Sequence, residues 1–243
     1  DKITIDRGKN VTCTIVNDDI APKLTVKKEV SNNWGGTLKV KDFPLYVGDV
    51  SVKSGQQYTS FDAGWYVIGE VLKPGYELYT VSGDCKLVNG EIRVQLKIGG
   101  SYTCTLKNKD LPAKITVNKR VINDNGGTAK ARDFALKVNN TVVPNGVKQT
   151  FNGNKNVTIS ETAKAGYEQK SIKCYYLTTG DQINLGASFK TKLGHEYDCE
   201  IVNDYIPPVV TVKKIAYPGH TNQKLDSERT NNGKNTNKTN DFK

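Results

Sequence analysis

The sequence predicts an all-β chain of tandem immunoglobulin-like, Greek-key β-sandwiches, and three observations carry that prediction. Short runs rich in Val, Ile, Thr and Tyr are separated by Gly, Asn and Pro at close intervals. The same succession of segments occurs twice in full. Each pass holds about seven such runs, the strand number and turn spacing of a sandwich. The 243 residues give room for two domains of about 100 residues, each with a core of its own.

The repeat is read from three matching stretches. Around Cys13 the chain runs VTCTIVNDDIAPKLTVKKEV, around Cys104 YTCTLKNKDLPAKITVNKRV, and around Cys199 YDCEIVNDYIPPVVTVKKIA. After the first match NNWGGTLKVKDFPLYV follows, and after the second NDNGGTAKARDFALKV. Residues 22–109 and 113–205 are therefore the complete repeats. Residues 1–21 read as the C-terminal strands of a truncated preceding repeat, and 208–216 as the first strand of a truncated following one. Residues 219–243 are polar, rich in Asn, Lys and Thr, and predict a disordered tail. In the first repeat strands are expected near 24–30, 43–47, 50–53, 56–61, 65–71, 77–85, 91–97 and 101–108, one of them an irregular edge. The short Pro-containing joints, Leu111-Pro112 and Pro207-Pro208, predict stiff connections and a rod-like array. A chain without Met that begins at Asp1 reads as a mature protein or a fragment, any signal peptide already removed.

Composition narrows the function classes. The net charge of +10 comes from lysines spread over every segment, with no basic stripe interleaved with aromatics, which argues against nucleic acid as partner. Loose attraction to anionic polymers or surfaces fits better. No apolar run is long enough to span a membrane. With two His, no Gly-rich phosphate loop and no Ser/His/Asp pattern, an enzyme is the least supported class, and no cofactor is implied.

Each complete repeat holds two Cys, Cys85 with Cys104 and Cys174 with Cys199, and Cys13 is left unpaired. Zinc is disfavoured by the lack of a Cys-x2-Cys pair and by the spacing of His195 and His220. Disulfides place the protein in an oxidising, extracellular or cell-surface setting. Four glycosylation sequons, at Asn10, Asn139, Asn156 and Asn237, agree with it.

Three polar side chains then stand where apolar ones belong. Alternate strand residues share a face. Leu24, Val26, Lys28 and Val30 form one row, as do Ile115, Val117, Lys119 and Val121; Val210, Val212 and Lys214 follow the same pattern. On the last strand Cys104, Leu106 and Asn108 form a row, matched by Cys199, Ile201 and Asn203 and by Cys13, Ile15 and Asn17. Val157 and Ile159 share a face with Glu161. Tyr66, Ile68 and Glu70 do the same on a strand whose other face, Trp65 and Val67, is apolar too. A lysine, a glutamate and an asparagine on a core face are costly to bury. Two readings account for them: a Lys–Glu ion pair whose hydrogen bonds the Asn completes, or a covalent cross-link, which the recurrence favours.

The TVKK first strand, the Glu-x4-Gly-Tyr of ETAKAGYE and the IVND last strand resemble the CnaB-type (SpaA-like, prealbumin-like) repeat domains of prokaryotic surface proteins. The similarity is greatest to a Cys-bearing variant with an NDNGG turn and a CTIxND strand, and it covers nearly everything from Asp1 to about Pro218. It implies an autocatalytic isopeptide bond Lys28–Asn108 with Glu70 as helper, and Lys119–Asn203 with Glu161. Asn17 and Lys214 become half-pairs. Burial disfavours charge, which favours the neutral amine as nucleophile and a protonated acid as proton shuttle.

The function implied is structural: a stalk or filament segment of a surface protein, with neighbouring repeats or subunits as partners. The alternative is an adhesin module binding a glycan or matrix polymer through the loops Asn33–Gly36 and Asn123–Gly127. Calcium at Asn123, Asp124 and Asn125 has too few carboxylates to favour. The strand around Lys214 pairing with that around Asn17 in another copy is a further option, less economical than truncation.

Overall fold

The computed structural model describes residues 2–177 and 184–214. The chain divides into two compact units. The first comprises residues 2–112 with 152–154 and 192–194, and the second the other described residues.

Nine strands build the first domain: β1 (Lys23–Ser31), β2 (Leu45–Val47), β3 (Val50–Val52), β4 (Gln57–Tyr58), β5 (Gly64–Glu70), β6 (Tyr76–Gly83), β7 (Lys86–Val88), β8 (Glu91–Leu96) and β9 (Ser101–Asp110). They form two sheets, β4-β1-β9-β6 and β3-β2-β5-β8-β7. Apolar side chains fill the space between them, including Leu24, Val26, Leu45, Ile68, Val94 and Leu106. Among the described residues the second domain has eight strands: β10 (Ala113–Ile122), β11 (Leu136–Val138), β12 (Thr141–Val142), β13 (Gln149–Phe151), β14 (Asn156–Glu161), β15 (Tyr167–Tyr176), β16 (Ser188–Lys190) and β17 (Glu196–Tyr205). Its sheets run β13-β10-β17-β15 and β12-β11-β14-β16 around Ile115, Val117, Leu136, Ile159 and Ile201.

The first and last strands of each domain are parallel neighbours. Lys28 lies beside Leu106 and Val30 beside Asn108 in β1–β9, and Lys119 beside Ile201 and Val121 beside Asn203 in β10–β17. Parallel strands need a long crossover between them, and in both domains the rest of the sandwich is that crossover. Disulfides Cys85–Cys104 and Cys174–Cys199 join the last strand of each domain to the antiparallel segment beside it. All four cysteines are buried.

The alternation that left β5 ambiguous resolves by exposure. Trp65 and Val67 are 66% and 42% exposed, so Ile68 and Glu70 point inward. Other expectations are corrected. Cys85 sits in the connection between β6 and β7, not on a strand. Short 3₁₀ turns at Val40–Asp42 and Ala131–Asp133 precede the second strand of each domain, so those strands start later than the apolar pattern suggests. Residues 2–21 and 208–214, read as strands of partial repeats, form none. Strand backbone must exchange hydrogen bonds with neighbours, and both sandwiches are complete without these segments. Ile15, Val16, Val210 and Val212 accordingly stand more than 80% exposed. The predicted tail 219–243 and Asn237 lie outside the described residues.

Candidate functional site

Each trio assembles inside its sandwich from three elements. In the first domain Lys28 comes from β1 and Asn108 from β9, adjacent in one sheet, while Glu70 reaches across from β5 in the facing sheet. The inward phase of each strand, set by its apolar neighbours, is what brings the polar ends together. The side chains of Lys28 and Glu70 are 0% and 3% exposed, and Asn108 is buried.

The three close a ring of hydrogen bonds. Lys28 Nζ donates to Glu70 Oε2 and to Asn108 Oδ1, the latter at 2.5 Å. Asn108 Nδ2 donates to Glu70 Oε1 at 2.8 Å. Every polar end therefore has a partner, as burial demands. The carboxamide is oriented between amine and acid, oxygen toward the first and nitrogen toward the second. Phe43 closes the outer side, with Lys28 Nζ 4.8 Å from its ring centre.

The second domain repeats the positions with a looser bonding pattern. Lys119 Nζ lies 3.1 Å from Glu161 Oε2 and donates to the carbonyl of Ile201 at 3.4 Å. Their side chains are 0% and 4% exposed, and Asn203 is buried. Neither Asn203 Oδ1 nor Glu161 Oε2 has a well-aligned hydrogen bond; the Lys119–Glu161 contact is close enough for an ion pair but poorly directed. Phe134 covers the lysine as Phe43 does, at 4.4 Å.

Burial is the dominant influence on both lysines. It pushes Lys28 and Lys119 below the ordinary 10.5, against the opposing pull of Glu70 and Glu161. The neutral, nucleophilic amine is thereby easier to reach. In the first trio an amine, a carboxamide and a carboxyl group meet within hydrogen-bonding distance.

The remaining predicted positions are not drawn into a site. Asn17, Lys214 and Cys13 are exposed, and Cys13 forms no disulfide. Asn10, Asn139 and Asn156 are exposed, with the Asn139 side chain accepting from the Thr158 N–H at 2.9 Å. Among the described residues no cluster of three or more His, Cys, Asp or Glu could hold a metal ion, the Asn123–Asn125 turn included. No helix among them is long and apolar enough to cross a membrane.

Sequence reasoning missed Phe43 and Phe134. Both lie in the recurring Asp-Phe of KDF and RDF, a signal that reads as a strand start until the 3₁₀ turn is seen. It also missed Asp110, a buried carboxylate two residues beyond Asn108 that accepts the N–H groups of Asn33, Trp34 and Gly36 at 2.7–2.8 Å.

A family model described as a prealbumin-like fold domain matches residues 110–201, so the second repeat is a domain of that fold. No curated protein sequence matches the chain. Among solved structures it is similar to the major pilin from Streptococcus pyogenes, at 14% identity over 78% of this chain and 99% of that one, with a TM-score of 0.35. It is similar to the Bacillus anthracis TIE protein at 15% identity, over 78% and 35% of the two chains, with a TM-score of 0.37. The pilus adhesin SpaC from Lactobacillus rhamnosus GG gives 14%, 76%, 31% and 0.31.

Proposed function

We propose, with the prealbumin-like fold of the second repeat as premise, that this chain is a load-bearing stalk segment of an extracellular surface protein. Each domain locks itself with one Lys–Asn isopeptide bond beside its disulfide. The closed ring Lys28–Glu70–Asn108 is the observation that carries this reading.

Neutral Lys28 Nζ attacks Cγ of Asn108. Glu70, in contact with both Lys28 Nζ and Asn108 Nδ2, shuttles a proton from the first nitrogen to the second. The Nζ–Cγ bond forms, the Cγ–Nδ2 bond breaks, and ammonia leaves. Glu70 ends as it began, and no oxidant or external reactant is needed. Folding supplies the rate by holding the reactants together. The event happens once per domain, so the chain is a self-modifying structural protein and not a turnover catalyst. Lys119, Glu161 and Asn203 do the same after the carboxamide turns toward the amine.

The mechanical consequence follows from topology. Tension enters a domain at its first strand and leaves at its last, and these are parallel neighbours. A bond between them carries the load directly and leaves the intervening sandwich unstretched.

Intact mass, measured with and without reductant, tests the chemistry: one ammonia should be missing per complete domain beyond the disulfide hydrogens. A full unmodified mass would sink the proposal. Single-molecule stretching tests the role, since cross-linked domains should show no unfolding extension.

A further inference from the structure

We propose that the Asn123–Gly127 turn of the second domain is an open carboxylate-binding nest, and that it takes an aspartyl side chain presented by another polypeptide. The first domain supplies the template. There the Asn32–Gly36 turn wraps its backbone N–H groups around Asp110: Asn33 donates to Oδ1 at 2.8 Å, and Trp34 and Gly36 to Oδ2 at 2.7 and 2.8 Å. Successive N–H groups converging in a turn form an anion-binding concavity.

The second turn has the same frame. Asn32 Nδ2 donates to the Leu38 carbonyl at 3.0 Å, and Asn123 Nδ2 to that of Ala129 at 3.1 Å. The Tyr76 hydroxyl donates to Asn32 Oδ1 and the Tyr167 hydroxyl to Asn123 Oδ1, both at 2.6 Å. Gly35 and Gly126 share the left-handed backbone, with φ of +90° and +89°. What differs is the residue facing the turn. A Cβ built on Gly36 would lie 2.9 Å from Asp110 Cβ, and one on Gly127 would lie 2.8 Å from Tyr205 Cβ. Tyr205 thus holds the place of Asp110 without its carboxylate. Its ring packs against that of Tyr167, with centroids 5.2 Å apart. The N–H groups of Asp124, Asn125 and Gly127 donate to no partner among the described residues, and the turn from Asn123 to Gly126 is exposed.

The ligand chemistry follows from the template: a carboxylate one methylene from its backbone. Asp124 stands on the rim, its Oδ1 accepting from Asn125 Nδ2 at 2.8 Å, and its charge keeps the binding weak. Lys170, which pairs with Glu168 and feels the charges of Asp204 and Asp124, offsets part of that repulsion.

Amide chemical shifts of the full chain test this, with N-acetyl-aspartyl amide titrated against sodium chloride at matched ionic strength. Asp124, Asn125 and Gly127 should shift saturably, and Asn33, Trp34 and Gly36 should not. Tyr205→Asp should fill the nest from within and weaken the response at least tenfold. Asp110→Ala should open the first turn and make its three amides respond. Absence of a saturable shift at residues 124–127, or an unchanged response in a folded Tyr205→Asp variant, overturns the proposal. If Tyr205→Asp does not fold, Asp110→Ala decides: a first turn that stays unresponsive when opened overturns the template. Glucuronate binding more tightly than the aspartyl probe would overturn the polypeptide as the source.

Discussion

In the first domain the carboxamide of Asn108 is held between amine and acid, whereas in the second that of Asn203 leaves its oxygen without a partner. The residue types, the strands that carry them and their burial are the same. Proximity and orientation are therefore separable: strand register delivers the first, and side-chain hydrogen bonding the second. The difference also has an energetic side. A buried polar atom without a partner costs about 1–3 kcal/mol, so the second trio holds free energy that a covalent bond would release.

The largest test of the comparison removes the reaction from one domain at a time. Lys28→Met should retain one ammonia in the intact mass and leave the second domain's cross-link in place. The proposed Lys28–Asn108 bond would close a ring across a sequence separation of 80. On the chain-entropy model its loss costs roughly 4.5 kcal/mol, which calorimetry should register as a lower unfolding temperature for the first domain alone. Lys119→Met should do the same to the second.

Disulfide removal is a control that should not distinguish the domains. Cys85–Cys104 and Cys174–Cys199 span sequence separations of 19 and 25. Replacing either pair by Ala should lower its domain's stability by roughly 3 kcal/mol, and peptide mapping should still find the isopeptide. Loss of the isopeptide in such a variant would show that the disulfide positions the trio.

Kinetics sharpen the comparison further. If carboxamide orientation limits the reaction, the first domain should close about tenfold faster than the second after refolding, the equivalent of about 1.4 kcal/mol in barrier. Mass spectra of timed samples would follow both, and equal rates would assign the barrier to chemistry common to the two trios.

The smallest difference is expected in pH dependence. Both lysines are lowered from 10.5 by the same first cause, burial. The neutral amine grows about tenfold per pH unit below the lowered pKa, so both cross-linking rates should rise with pH and stop rising before 10.5. The stability sign agrees. Between the lowered pKa and 10.5 the unfolded chain binds more protons, so a domain that cannot cross-link, such as Asn108→Leu, should gain stability as pH rises through that window. A rate that keeps rising beyond 10.5 would mean the amine is not held in a dry site.

Much of this was legible in strand periodicity. The rows Leu24–Val26–Lys28 and Cys104–Leu106–Asn108 placed both residues on core faces because a strand has a period of two. The repeat register then chose Lys28 over Lys27. Periodicity says nothing of which way a carboxamide turns, since that depends on partners from another sheet, so the contrast between Asn108 and Asn203 was hidden. Asp110 was hidden for a related reason: its worth lies in three backbone N–H groups far away in sequence, and no residue-type pattern marks those. The segments 2–21 and 208–214 show the converse. Their alternation is strand-like, but alternation becomes a strand only where neighbours complete the hydrogen bonds.

The parallel adjacency of β1 and β9 also bears on damage. With Lys28 bonded to Asn108, a protease that cuts any loop between those residues leaves the two ends of the domain joined. The nick makes a branch and not a break, and the Cys85–Cys104 bridge keeps the freed strand attached to the last one. With both proposed bonds in place, only a cut outside residues 28–108 and 119–203 would sever the chain.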